Sequence, residues 1–130
     1  MATSKIMLLL YVAVGGAIGS VARYLVISGM ASLTGFGFPY GTLLVNISGS
    51  FLMGALIESL TKYMPGGMGL RAFLAVGILG GYTTFSSFSL DAITLYQEGK
   101  ILAAATYTVS SVVLSLLAIF IGIYVFREVL

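Results

Sequence analysis

The chain has 130 residues, of which 59% are hydrophobic and only 8% charged, with a formal net charge of +2. A soluble domain carries roughly 25% charged residues, so this composition belongs to a membrane protein. The absence of cysteine and histidine excludes disulfides, thiolate chemistry, histidine-based metal sites, haem ligation and imidazole acid–base catalysis. A net charge this small and scattered also argues against a nucleic-acid partner.

At about 20 residues per span, the length accommodates four transmembrane helices in a single domain over residues 1–130. The first span is expected at about 6–27. Its start mimics a secretory signal, with Lys5, the apolar run Ile6 to Val14 and the small-residue stretch ending at Ala22. Apolar character resumes past Arg23 through Leu25, Val26 and Ile27, which favours a retained span. Gly15 and Gly19 share one helical face, with Gly16 and Ser20 beside them, a pattern that lets helices touch closely in lipid. Residues 28–38 are small, polar and glycine-containing and read as a loop, after which Pro39 stands where a helix begins.

The second span is expected at about 40–60 and is closed by Lys62 and the turn Met64-Pro65-Gly66-Gly67. The third covers about 70–95 and is interrupted near Gly80-Gly81. After the turn Gln97-Glu98-Gly99-Lys100, the fourth runs from about 101 to 126. Both termini then share a side with the second loop. That side holds Lys5, Lys62, Arg71 and Arg127, against Lys100 and Arg23 opposite. So slight a positive-inside bias permits insertion in both orientations.

Three groups of polar residues stand at membrane depth. Thr42, Asn46 and Ser50 follow one stripe of the second helix at intervals of four. Asn46 brings amide donors and an acceptor, suited either to gluing helices together or to lining a pathway. Tyr107, Ser111 and Ser115 form a matching stripe on the fourth helix. The third group is Gly80-Gly81-Tyr82-Thr83-Thr84-Phe85-Ser86-Ser87-Phe88-Ser89, where five Thr and Ser hydroxyls surround two phenylalanines. Polar, irregular backbone survives in hydrocarbon only where protein or a wet cavity surrounds it, so this segment points to transport or binding. The glycines permit unusual backbone, and a broken helix end leaves carbonyls that suit a cation such as Na⁺. Phe85 and Phe88 share a face if the segment is helical. Their electropositive ring edges can meet an anion without trapping it, although packing or lipid contact would also explain the pair. Arg23 is the deepest cation, serving either to draw an anion into a vestibule or to hold structure.

Together these elements resemble the Fluc (CrcB-type) fluoride channel family. The resemblance is carried by residues 15–23, by Gly41-Thr42-Leu43-Leu44-Val45-Asn46 and above all by residues 80–89, in matching order and spacing over nearly the whole chain. It implies an all-α membrane protein of four helices with a broken third helix, assembled as an antiparallel, dual-topology homodimer in the bacterial inner membrane. It implies a fluoride-selective channel that exports the ion passively and relieves cytoplasmic toxicity. Phe85, Phe88, Asn46, Thr42, Tyr107, Ser111 and Ser115 would line two fluoride pores. A structural Na⁺ on the dimer axis would be held by the main-chain carbonyls of Gly80 and Thr83 in each subunit.

Two other readings compete. A dual-topology multidrug or cation exporter would want a buried carboxylate in the first span, which has none. A non-transporting scaffold subunit explains the hydropathy but leaves the mid-membrane polar stripes without a purpose. An enzyme is disfavoured, because no nucleophile–base pair or metal cluster can be assembled from these residues.

Overall fold

The computed structural model describes residues 3–130, and the described residues are helical apart from short connections. Helix α1 spans Lys5–Thr34 and α2 spans Tyr40–Tyr63. The third span begins as α3 (Met68–Arg71), widens into a π-helical stretch (Ala72–Leu79), closes with α4 (Gly80–Tyr82) and resumes as α5 (Phe85–Gln97). Helix α6, Ile101–Val129, completes the chain. Among the described residues, four segments are long and apolar enough to cross a membrane: Lys5–Thr34, Tyr40–Tyr63, Met68–Gln97 and Ile101–Val129. Large apolar side chains such as Leu9, Leu25, Val109, Leu116 and Phe120 are exposed on the outer surface, as expected where lipid is the solvent.

The first helix is longer than its hydropathy suggests. Residues 28–34, expected as loop, continue α1 because their hydroxyls are satisfied along the helix itself. Ser28 donates to the Tyr24 carbonyl at 2.6 Å, Ser32 to that of Gly29 at 2.7 Å and Thr34 to that of Met30 at 2.8 Å. A polar side chain that back-bonds in this way does not end a helix. The stop comes at Gly35, whose φ of 78° lies in the left-handed region that glycine enters at no steric cost.

The bundle is built from two pairs of parallel helices, each pair brought together by glycine. Helix α1 packs on the π-helical stretch and α4. A Cβ on Gly15 would lie 3.0 Å from the Gly77 Cα, and one on Gly81 would lie 2.7 Å from the Gly16 carbonyl oxygen. Helix α2 packs on α6, where a Cβ on Gly54 would lie 3.0 Å from the Ile123 nitrogen and one on Gly122 3.1 Å from the Ala55 nitrogen. Such separations let backbones meet directly, the usual source of helix association when surrounding lipid is as apolar as the side chains. The small-residue face of α1 therefore packs within the chain.

At one end of the bundle, α2 and α6 finish side by side. Arg127 grips Glu58 with two parallel hydrogen bonds of 3.0 Å each, and the Tyr63 hydroxyl donates to the Leu130 carbonyl at 2.8 Å. This fixes the shared side of the second loop and the C-terminus.

The glycine contacts predict an asymmetric outcome. Gly122→Val should cost about 1–3 kcal/mol or more by overpacking the α2–α6 seam. Gly29→Ala, in a helical position where an added methyl meets nothing within 4 Å, should be neutral or stabilising by about 0.5–1 kcal/mol. Thermal unfolding in detergent measures both, and equal losses would contradict the packing.

Candidate functional site: a cavity at the broken span

The break in the third span is real, but its position is not at the glycines. Gly80 keeps right-handed helical geometry (φ −62°, ψ −37°), and Gly81 lies within α4. The unwound residues are Thr83 (φ −88°, ψ 159°) and Thr84 (φ −153°, ψ 122°), both extended. The reason is steric and polar together. Gly81 is small because it packs against α1, whereas the two threonines carry the side-chain oxygens that let backbone leave the helix. The expectation that Gly80 and Gly81 are needed for unusual backbone is therefore corrected: Gly81 allows close approach to α1, while a Cβ on Gly80 would meet only the Ala75 oxygen, at 3.6 Å.

Side chains replace the lost helical bonds one by one. The Thr84 N–H donates to Asn46 Oδ1 at 2.8 Å, and Asn46 Nδ2 donates back to the Thr84 carbonyl at 3.0 Å. The Asn46 amide thus pairs with one residue of extended backbone as a neighbouring strand would. Thr84 Oγ1 accepts from the Ser87 N–H at 3.1 Å, which caps α5. Arg23 Nε donates to the Gly81 carbonyl at 3.0 Å. The Thr83 hydroxyl and N–H both return to the Leu79 carbonyl, at 3.0 and 3.1 Å.

Among the carbonyls that lose their helical donors at the break are those of Gly80 and Thr83. In a continuous α-helix the Gly80 oxygen would receive the Thr84 N–H and the Thr83 oxygen the Ser87 N–H. Both donors are engaged elsewhere, the first by Asn46 and the second by Thr84 Oγ1. The helix end before the break therefore carries partial negative charge. The N-terminal end of α5, a 13-residue helix, carries the complementary positive end of its dipole.

Beside the break lies a cavity of about 300 Å³ lined by Asn46, Ser50, Thr83, Thr84, Phe85, Phe88, Ser111, Val112, Ser115 and Leu116. It collects five of the seven residues expected along a pore. The hydroxyls of Ser111 and Ser115 are buried and find no hydrogen-bond partner among the described residues. Unpaired buried hydroxyls cost free energy and usually mark a place where something else bonds. Phe85 is 77% exposed and Phe88 only 8%, with their rings 5.4 Å apart and inclined by 64°.

The remaining two expected residues, Thr42 and Tyr107, lie further along. Tyr107 is fully buried, its ring 5.4 Å from Phe88 and 5.6 Å from Phe38, edge-on to the latter. Its hydroxyl donates to Asp91 Oδ2 at 2.9 Å. Beyond it, a second cavity of about 290 Å³ is bordered by Thr42, Asp91, Tyr24 and Tyr40. The aromatic side chains of Phe88 and Tyr107 thus stand between two cavities, one with the α5 N-terminus and one near the α1–α2 loop. Nothing in the sequence pattern singles out Asp91, which lies on α5. The packing of α5 against α6 across the turn 98–100 brings the pair together. Arg23 sits on a main-chain carbonyl, outside the residues that border either cavity.

Fold and site together define a multi-pass membrane protein with a largely apolar cavity, furnished with a few buried polar groups, at a broken span. Residues 10–123 match the family described as CrcB-like protein, Camphor Resistance (CrcB), and the chain belongs to that family. Among its relatives is a protein of Rhizobium meliloti (strain 1021) named fluoride-specific ion channel FluC, 50% identical over 92% of this chain and 95% of the relative. A protein of the same name from Agrobacterium fabrum (strain C58 / ATCC 33970) is 50% identical over 90% of this chain and 94% of the relative. Fluoride-specific ion channel FluC 1 of Nitrobacter hamburgensis is likewise 50% identical, over 92% and 94%.

The hydrogen-bond inventory predicts opposite effects of two truncations. Ser115→Ala removes a buried hydroxyl that has no partner and should leave stability unchanged or raise it. Arg23→Leu strips the Gly81 carbonyl of its donor and should cost about 1–3 kcal/mol. Denaturation midpoints of the two purified variants decide the matter, and a loss confined to Ser115→Ala would refute the assignment.

Proposed function

We propose that the protein is a fluoride-selective ion channel of the bacterial inner membrane, through which fluoride leaves the cell passively and its cytoplasmic toxicity is relieved. The observation that carries this reading is the first cavity: buried, unpartnered serine hydroxyls, the positive end of α5 and the Phe85–Phe88 pair surround one space. The relatives named for fluoride-specific conduction support it.

Fluoride is small and strongly hydrated, so a narrow path must replace its water with donors. Ser111 and Ser115 supply hydroxyls, and Asn46 Nδ2 keeps a second N–H after bonding Thr84. Phe85 and Phe88 offer ring edges, which attract an anion weakly and release it readily. Conduction needs that balance, with binding strong enough for entry and weak enough for exit. Thr42 and Tyr107 continue the polar path toward the second cavity. Chloride, larger and a poorer acceptor, gains less from the same donors.

The functional unit in this proposal is an antiparallel homodimer with two such pores. A four-helix chain encloses little interior by itself, and Phe85 presents an exposed ring for which a second subunit supplies the missing wall. The Gly80 and Thr83 carbonyls, deprived of helical donors, fit a structural Na⁺ on the dimer axis. Bound there, Na⁺ would balance the partial negative charge of four main-chain oxygens and join the subunits.

In proteoliposomes carrying fluoride and chloride, the protein should pass fluoride rapidly and chloride at least a hundredfold more slowly. Phe85→Ile or Phe88→Ile should abolish fluoride efflux or slow it by about two orders of magnitude. Wild-type rates in both variants, read with an ion-selective electrode, would remove the aromatic edges from the mechanism.

A further inference from the structure

Every polar atom of Thr84 is committed to the protein. Its N–H and carbonyl are both bonded to the Asn46 amide, and its Oγ1 accepts from the Ser87 N–H with Ser86 Oγ at 3.3 Å. The residue is 9% exposed and borders the first cavity. Its neighbours on that cavity wall behave differently, since Ser111 and Ser115 keep hydroxyls without partners. A residue held at its N–H, carbonyl and Oγ1 is built to decide where other groups stand.

We infer that Thr84 is a positioning residue for the pore, locked by Asn46 and capping α5, and that it holds the break in register with the cavity; this inference rests on the fluoride-channel reading. The bond from Thr84 N–H to Asn46 frees the Gly80 carbonyl. The bond from Ser87 N–H to Thr84 Oγ1 frees the Thr83 carbonyl and fixes the first turn of α5. Phe85 and Phe88 stand on that turn and the next, so the cap sets the angle at which both rings meet the cavity. Asn46 accordingly has two duties on one amide group. Nδ2 directs one N–H to Thr84 and keeps the other for the pathway.

Removing the cap while keeping the shape separates positioning from ion contact. Thr84→Val replaces Oγ1 by a methyl group, and Thr84→Ser keeps the oxygen. With Thr84→Val, fluoride efflux per folded protein should fall at least tenfold, and amide hydrogen exchange across residues 83–88 should quicken at least tenfold. Thr84→Ser should hold both within about threefold of wild type. Slow exchange of the Thr84 and Ser87 amides in the wild-type protein is expected as well, and needs no variant to fold. The inference is overturned if those two amides exchange as fast as Gly66 in the turn. It is equally overturned if Thr84→Val loses efflux with unchanged exchange, which marks direct ion contact, or keeps wild-type efflux. A wild-type protein that passes no fluoride would sink the channel reading, while the exchange measurements would still judge the clamp.

Discussion

A backbone that leaves its helix at membrane depth must find new partners, because no water is there to receive it. The exchange of hydrogen bonds between Asn46 and Thr84 meets that demand, and most of the other features follow from it. The third span can change from α4 to α5 across two extended residues only because a side chain on α2 supplies the missing donor and acceptor. Once the span is split, it has two additional ends. One exposes carbonyls and the other points N–H groups and a dipole toward the cavity. A single interruption thus creates adjacent regions of opposite polarity, one fit for a cation and one for an anion.

Close packing keeps this arrangement in place. The glycine seams hold α1 against the segment before the break and α2 against α6. The parts of the cavity wall on α2 and α6 therefore stand on one closely packed pair. Arg23 adds a direct tie from α1 to the Gly81 carbonyl, so the break is fixed from both neighbouring helices. The π-helical stretch lies just before it, where the Gly80 N–H reaches back to the Ala75 carbonyl, five residues earlier. Such wide turns recur near functional sites.

Much of this was legible in the sequence. Hydropathy located four spans, and intervals of four placed Asn46 with Ser50 and Ser111 with Ser115 on the faces that meet at the cavity. The polar segment 80–89 announced an interrupted span, although the pattern put the interruption at Gly80-Gly81 rather than at Thr83 and Thr84. What pattern could not supply was the division of labour within that motif. Glycine is the common reason for irregular backbone, yet Gly80 and Gly81 stay helical and the threonines unwind, because hydrogen bonding to Asn46 decides the matter and involves a residue 38 positions away. The extension of α1 to Thr34 was hidden for a related reason. Its Ser and Thr look like loop residues until their hydroxyls are seen bonded to carbonyls of their own helix. Likewise, the Tyr107–Asp91 contact depends on how two helices cross, and no local spacing announces it.

The first cavity is lined entirely by groups that do not titrate: amide, hydroxyl, phenyl and aliphatic side chains. Its field arises from peptide dipoles and hydrogen-bond donors rather than from formal charges. Protons therefore have no side chain of this wall to bind or leave. The wall that this chain contributes carries the same charge in an acid medium as in a neutral one, a form of constancy that a lysine- or histidine-lined passage would lack.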